Sequence, residues 1–463
     1  MRLFLFPRLL FVLLFLVGCA SAPKRIETPI SNLPNAWSNT VSPSGAVTNY
    51  WLRDFNDPTL EAIVAESLEH NPNLLATAAR LKQALAEAKI AGADRIPTIA
   101  IGLGGSRQRI SNFGPQKTGG IYYNNNNIDL NLSWEIDLWG RLNNYSSAAL
   151  AKAEASSADF AATRLSLAAQ TAKSWFNFIE AAAQEELAQS DVINYKKNLA
   201  AMESGYKSGI NAGIELREIR TSAAIATANL SSRKRQLDQA ARRVEILIGR
   251  YPSASLAKTT DLPALPASIP AGLPSELLLR RPDLIAAERR LAATDQTLRA
   301  AKKDRLPKLS LTSSAGTASS EFDDLLDGNF RVGAVAGNLM NPIFQGGRIR
   351  ANIDRRESQK KQSIANYHNT ALQAFLEVEN ALAGENLLRV EAEHLMLATN
   401  AAENSLQLAR QQYRSGSLSF TNMLQSERNA LAMLSLYLLA HRNLLNNRID
   451  LHLALGGSFG NEQ

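Results

Sequence analysis

Asp129, Asn131, Ser133 and Glu135 alternate with Ile128, Leu130, Leu132, Trp134 and Ile136. Period two puts the four polar groups on one face of a strand and the oily ones on the other. Carboxylates and small hydrogen-bonding groups in a row, with no nucleophile–base–orienter set among them, suit a wetted wall rather than a reaction centre. The stretch is about as long as a tilted membrane-spanning strand, roughly 9–11 residues. A soluble sheet with one wet face gives the same pattern, so its surroundings must decide.

Other chemistry is sparse. His70, His368, His394, His441 and His452 are scattered, with no His-Glu-x-x-His pair and no Cys/His cluster, so no metal site is supported. Gly102-x-Gly104-Gly105 lies in a strand pattern and lacks the Gly-Lys-Ser/Thr of a phosphate loop. No nucleophile–base–orienter set stands out, which points away from an enzyme and from any cofactor. The formal charge of +7 is dispersed, with no basic run interleaved with aromatics, so nucleic acid is not an expected partner.

Cys19 is the sole cysteine of the 463 residues, which excludes an intramolecular disulfide. Arg2 and Arg8 flank a short apolar run that ends in Leu16-Val17-Gly18-Cys19. This resembles a bacterial lipobox. Residues 1–18 are then a signal peptide and Cys19 carries a covalent lipid. Ala20, where Asp would favour inner-membrane retention, implies the outer membrane. No later run of 18 apolar residues exists, so a spanning structure must be a closed barrel.

These residues need elements to position them. Residues 19–60, with Pro23, Pro29, Pro34 and Pro43, read as a lipidated extended arm, and Trp51, Phe55, Asp57, Pro58 and Leu60 mark the start of the folded body. The chain then repeats itself. Asn71-Pro72-Asn73-Leu74 matches Arg281-Pro282-Asp283-Leu284, Gly140-Arg141 matches Gly347-Arg348, and Tyr206-Lys207-Ser208-Gly209 matches Tyr413-Arg414-Ser415-Gly416. The expected organisation is repeat 1 over 61–250, a Pro-rich linker over 251–275, repeat 2 over 276–457 and a tail over 458–463. Each repeat reads helix, strand, strand, helix, helix.

No proline falls between Pro115 and Pro252 or after Pro342. Residues 141–206 and 348–413 therefore read as single helices on the order of 100 Å long. Leu165, Ala168, Ala172, Trp175, Ile179 and Ala182 alternate spacings of three and four, and Leu424, Leu431, Leu438 and Leu445 repeat every seven. That is the seam of packed long helices. Gly209 with Gly213, and Gly416 with Ser417, read as the turns where a long helix goes back on itself.

Strands are expected at about 98–109 and 127–137, then at 308–318 and 330–340. The loop of the first pair holds Gly114, Pro115, Gly119, Gly120 and the run Asn124–Asn127; that of the second holds Glu321, Asp323, Asp324 and Asp327. Four strands cannot close a barrel, and open edges cannot sit in lipid, so several chains would each contribute four. Asp129, Asn131, Ser133 and Glu135 would then line the lumen. Trp134, Trp139, Tyr122 and Tyr123 are candidates for interfacial girdles, with ordinary packing as the other reading.

The chain resembles the TolC-type outer-membrane efflux factors, in their lipidated OprM/NodT-like branch. The matching residues are Cys19, the Trp51–Leu60 start, the linker running into Leu279-Arg280-Arg281-Pro282-Asp283-Leu284, Ala287-Glu288-Arg289-Arg290-Leu291, and Leu453-Ala454-Leu455-Gly456-Gly457. The resemblance implies a mainly α fold with a membrane β-barrel: a homotrimer whose 12-stranded β-barrel continues as a long α-helical barrel into the periplasm. It implies a passive exit duct in the outer membrane. The partners would be outer-membrane lipid, a periplasmic adaptor (membrane fusion) protein and an inner-membrane pump, expected to be proton-driven. It also implies a periplasmic gate at the helix tips, at Tyr206, Gly209, Glu215, Tyr413, Gly416, Asn422 and Gln425. Glu215 stands where the family signature has Asp, Asn422 replaces the second Asp, and Leu418 stands where some members have Arg. The expected constriction is therefore less acidic, with Glu215 as its remaining acid. The alternative is a periplasmic coiled-coil adaptor or structural lipoprotein, which should carry one helical hairpin rather than two tandem copies.

Overall fold

The computed structural model describes residues 21–24, 37–38, 51–111, 120–266 and 274–457. The leader 1–18, Cys19, most of the arm before Trp51, Gly114, Pro115, Gly119, Pro270 and the tail 458–463 lie outside the described residues. A 3-10 turn, Trp51–Phe55, leads to α1 (Pro58–His70) and α2 (Pro72–Ala93). Then come β1 (Thr98–Ile110), β2 (Ile121–Ile136), α3 (Arg141–Lys207) and α4 (Gly213–Leu247). The second copy runs α5 (Pro274–Arg280), α6 (Pro282–Lys303), β3 (Lys308–Ser319), β4 (Arg331–Met340), α7 (Arg348–Arg414) and α8 (Phe420–Ala454).

Local chemistry sets the boundaries. Asp57 caps α1, its carboxylate accepting from Thr59 and Leu60 N–H at 2.9 and 3.1 Å. Asn71 caps α2, its amide oxygen accepting from Asn73 and Leu74 N–H at 3.0 and 3.2 Å. Pro58 and Pro72 follow these caps at the position where a missing N–H costs nothing. The duplication is close in length: α3 and α7 have 67 residues each, and α4 and α8 have 35 each. The three-four seam of α3, from Leu165 to Ala182, is buried throughout.

Two sequence expectations need correction. The arm does not extend to 60, because Trp51, Phe55 and Leu60 are buried in a core with Phe176, Phe178 and Ile248. The linker has neither helix nor strand over residues 251–266, as its prolines imply, and Leu256, Leu262 and Leu265 pack against that core before Pro274 opens α5. The run Asn124–Asn127 is strand, not loop. Asparagine is a poor strand former, but here each Asn lies opposite a residue of β1 in an unbroken ladder, Asn126 with Gly105 and Asn127 with Gly104.

The strands form one antiparallel sheet in the order β1-β2-β3-β4. The helices and sheet divide into two compact units, each drawing on both repeats. One takes residues 80–157 and 286–367, with the sheet and a small alanine core of Ala151, Ala292 and Ala293. The other takes 158–285 with segments 30–79 and 368–463, and holds the aromatic core and both helix tips. The repeat is thus a boundary in sequence and not in packing.

Candidate channel wall and helix tips

Register sorts the sheet into two unlike faces. Asp129 lies between Gly102 and Gly316, Asn131 between Ala100 and Ser314, Ser133 between Thr98 and Thr312, and Glu135 beside Ser310 and Asn338. That face is small and polar. The other carries Ile99–Leu132–Ser313–Val335, Ile101–Leu130–Ala315 and Ile136–Leu309–Leu339. Ile99, Ile101, Leu103, Val335 and Leu339 are 63–78% exposed. Folding thus leaves a wide apolar surface uncovered, which in a soluble protein would be a liability.

The structure brings the four predicted wall residues onto one face. Asn127 and Asn131 each donate a side-chain hydrogen bond to the carboxylate of Asp129. The glycines that resembled a phosphate motif make room for them: a Cβ on Gly104 would lie 2.6 Å from the Asn127 side-chain oxygen. Glu135 accepts from the Arg141 guanidinium at 2.6 Å, and Arg141 lies 3.7 Å from Asp304. A cavity of about 800 Å³ opens at this end of the sheet, lined by Glu135, Asp304, Lys308, Asn338, Arg348 and Arg355. Of the candidate girdle residues, Tyr122 takes the guanidinium of Arg107 over its ring at 5.0 Å, while Tyr123 shares the face of Asp129 by alternation. The Trp134 indole donates to the Arg95 carbonyl at 3.0 Å, and that of Trp139 to the Pro307 carbonyl at 2.7 Å.

At the tips, α3 and α7 end alike. Gly209 has φ +76° and Gly416 has φ +74°. Ile210 N–H reaches back to Gly205 O at 2.9 Å, and Ser417 N–H to Gln412 O at 3.0 Å. Both are Schellman turns, which need a residue at positive φ and hence favour glycine. Glu215 accepts from the Ala212 N–H at 3.2 Å and so caps α4. Asn422 holds the same position in α8, where Ser419 does the capping by accepting from Asn422 N–H at 3.3 Å. Gln425 donates to Asn429 at 3.2 Å along its own helix. Tyr206 is half exposed, whereas Tyr413 packs on Phe420 with ring centroids 5.5 Å apart. Burial, and then the nearby Glu215 charge, push the Tyr413 hydroxyl upward from the usual phenol range. The structure thus brings Glu215 and Tyr413 of different repeats together.

Sequence reasoning missed a set of charges close by. Arg220 binds Glu203 at 2.9 Å in the first copy, and Arg410 binds Glu427 at 2.7 Å in the second. The positions correspond and the charges are reversed. The equal spacing within each repeat was legible and would have found them. Asp191 was not: its Oδ1 is buried without a hydrogen-bond partner among the described residues. Burial, and then the charge of Glu427, push this carboxyl up to about 6. Neighbouring Tyr195 is pushed up to about 12, first by burial and then by Asp191 and Glu427.

Among the described residues no helix is long and apolar enough to cross a membrane, and no group of three or more His, Cys, Asp or Glu is placed to hold a metal ion. An apolar-faced sheet feeding pairs of long helices, built twice, defines the class of outer-membrane channels with a helical periplasmic extension. The family model described as outer membrane efflux protein matches residues 63–250 and 273–457, and this chain belongs to that family. It is 31% identical over 458 residues to the cation efflux system protein CusC of Escherichia coli O6:H1, covering 97% of each chain. It is 30% identical over 460 residues to the outer membrane protein OprJ of Pseudomonas aeruginosa, covering 97% of this chain and 95% of that one. Among solved structures, the CmeC outer membrane channel of Campylobacter jejuni superposes with a TM-score of 0.88 at 26% identity, covering 95% of both chains. The open MtrE outer membrane channel of Neisseria gonorrhoeae gives 0.82 at 29% identity, covering 95% of this chain and 99% of that one. The likeness is to channels along nearly the whole chain, which favours the duct over the adaptor reading.

Proposed function

We propose that the protein is the exit duct of a tripartite efflux system. Three copies each contribute four strands to a 12-stranded barrel in the outer membrane, and their long helices continue the conduit through the periplasm. The observation that carries this reading is the sheet itself. Its outer edges, on β1 and β4, have no partner strand among the described residues, and one of its faces is exposed and apolar. In hydrocarbon each unpaired backbone group costs several kcal/mol, so such a sheet is stable only when other chains close it. Asp129, Asn131, Ser133 and Glu135 then line the lumen, and Leu130, Leu132 and Trp134 face lipid.

The duct is passive and not an enzyme: a periplasmic adaptor delivers substrate from an inner-membrane pump, expected to be proton-driven. A lipid on Cys19 anchors the mature chain. At the periplasmic end Tyr206, Gly209, Glu215, Tyr413, Gly416, Asn422 and Gln425 form the constriction, with Glu215 as its remaining acid. Single-channel recording of the purified protein, together with its native mass, tests the reading. Conductance from a trimer is expected. A monomer that stays soluble without detergent and never conducts would overturn it. Cysteine substitution with a membrane-impermeant reagent tests the wall: Asn131→Cys should react far faster than Leu132→Cys, and the reverse order would turn the strand inside out.

A further inference from the structure

The two hairpins repeat in register as well as in sequence. Moving β1 by 210 positions and β2 by 207 turns the pair Thr98–Ser133 into Lys308–Met340, which is the observed start of the β3–β4 ladder. The same shift turns Gly105–Asn126 into Ala315–Gly333, also observed. Between the hairpins, β2 pairs with β3 through Asn131–Ser314, Leu132–Ser313, Ser133–Thr312 and Ile136–Leu309. This seam inside the chain is a template for any seam that continues the repeat from β4 to another β1.

We infer that β4 of one copy pairs antiparallel with β1 of a neighbouring copy in the register of the β2–β3 seam. The inference rests on the multi-chain barrel proposed above and adds which residues meet. Carried through the same shift, the template places Asn338 opposite Gly104 of the neighbouring copy, Leu339 opposite Leu103 and Met340 opposite Gly102. Eight of the ten residues of β4 fall within the template, from Gly333 opposite Arg109 to Met340 opposite Gly102.

The faces agree without having been used. Leu339 and Leu103 both lie on the apolar face, while Asn338 and Met340 oppose glycines on the polar one, as Asn127 and Asp129 oppose Gly104 and Gly102 within the chain. A slip of one residue would turn every β4 side chain to the wrong side. The end of β4 agrees as well. Ile343 and Phe344, just past the strand, are 95% and 88% exposed. The counterpart of Ile343 in the first copy, Ile136, is still in the ladder opposite Leu309 because β3 is there to receive it. In the inferred register Ile343 lies against Ile99 of the neighbouring copy, itself 65% exposed. Pro342 has no N–H to give to a ladder, so this end of the seam closes through side chains.

Disulfide cross-linking in outer membranes carrying the full chain tests the register. Opposed residues of an antiparallel pair have Cα atoms close enough for a disulfide, whereas a diagonal shift of two residues separates them to roughly 7–8 Å. Under mild oxidation L103C/L339C, and separately R107C/V335C, should form covalent dimers and trimers at least about 5-fold more than I101C/L339C. The pair L130C/A315C, opposed within the chain, is the positive control and should cross-link without changing the mass. Stronger linking of I101C/L339C in a protein of trimeric native mass would overturn the register while leaving the barrel standing. Trimers with no linking of either registered pair, while the control forms, would overturn it too. A monomeric native mass of the unsubstituted protein would remove the barrel and the seam together.

Discussion

The tip that joins α3 to α4 and the tip that joins α7 to α8 share a backbone and differ in chemistry. Gly209 and Gly416 take the same left-handed turn, which only glycine makes without strain. Around that fixed turn the side chains have diverged in a complementary way. The first tip keeps the carboxylate half of a capping box, Glu215 on the Ala212 N–H; the second keeps the hydroxyl half, Ser419 on the Asn422 N–H. The ion pair behind each turn is reversed, Glu203 with Arg220 against Arg410 with Glu427. Duplication has preserved what the backbone requires and released what it does not. The two helical hairpins of one chain are therefore not interchangeable. The second tip has lost the acid next to its turn and has moved its carboxylate, Glu427, inward, to 3% exposure.

Burial should make the second pair matter more than the first. Both partners of the Glu203–Arg220 bridge are exposed, with side chains at 39% and 59%, so truncating Arg220 should cost less than about 1 kcal/mol. Arg410→Ala leaves the Glu427 carboxylate in the helix packing with Asp191 beside it, and should cost roughly 3 kcal/mol. Denaturant unfolding of the two variants at neutral pH is the measurement. Equal costs would mean that the two copies differ in sequence but not in energetics.

Asp191 sharpens the same asymmetry, because the corresponding position of the second copy is Ala398. Its carboxyl is pushed up to about 6 from an ordinary 3.8. The folded protein therefore holds this proton more tightly than the unfolded chain does. The stability it contributes is fully present below about pH 3.8 and is lost as pH rises through about 6. Asp191→Asn should remove that loss. With the side chain partly open to solvent, the variant should gain on the order of 1 kcal/mol at pH 7.5 and nothing near pH 3.5. A gain that does not vary across this range would show that a hydrogen bond, and not the proton, is responsible.

The backbone of this molecule was far more legible than its side-chain traffic. Proline placement and the three-four spacing from Leu165 to Ala182 marked helices that the structure ends within a residue of the expected 206 and 413. Period two at Ile128–Ile136 marked β2, but its first six residues were missed, since Asn124–Asn127 carries turn chemistry and is strand only because β1 lies beside it. The end of the arm was misjudged, and the packing of the linker was not foreseen, for a related reason. Proline spacing reports local conformation, whereas Trp51 and Leu262 are placed by a core formed from distant helices. Charges at the tips followed the same rule. Glu215 was found through the resemblance to the family's tip signature, and Asp191 was missed because its partner Glu427 lies on another helix.

The caps offer a smaller effect and a direct exchange. Ser419→Ala removes the side-chain oxygen to which the Asn422 N–H donates at that helix start, and should cost about 1 kcal/mol. Ala212→Ser adds the missing half to the first tip, giving Ser-x-x-Glu, and should gain roughly 0.5 kcal/mol. Thermal unfolding of each variant measures both. If adding Ser at 212 gains nothing, the first tip is held by its Schellman turn and not by its cap.

The smallest change in stability is expected from Glu215→Gln, and it is the most informative about transport. Glutamine keeps a side-chain oxygen for the Ala212 N–H, so the cap survives and stability should fall by only a few tenths of a kcal/mol. What the substitution removes is charge: one carboxylate per chain, close to the Tyr413 hydroxyl of the other repeat. A like-signed ring at a narrow point raises the local concentration of counter-ions. If Glu215 lines the constriction, the cation-to-anion permeability ratio in planar bilayers should therefore fall in the variant. Asn422→Asp adds the same charge at the matching position of the second tip and should raise the ratio if that tip also faces the pore. A ratio that responds at 215 and not at 422 would assign the constriction to the first repeat alone, and no response at 215 would remove Glu215 from it.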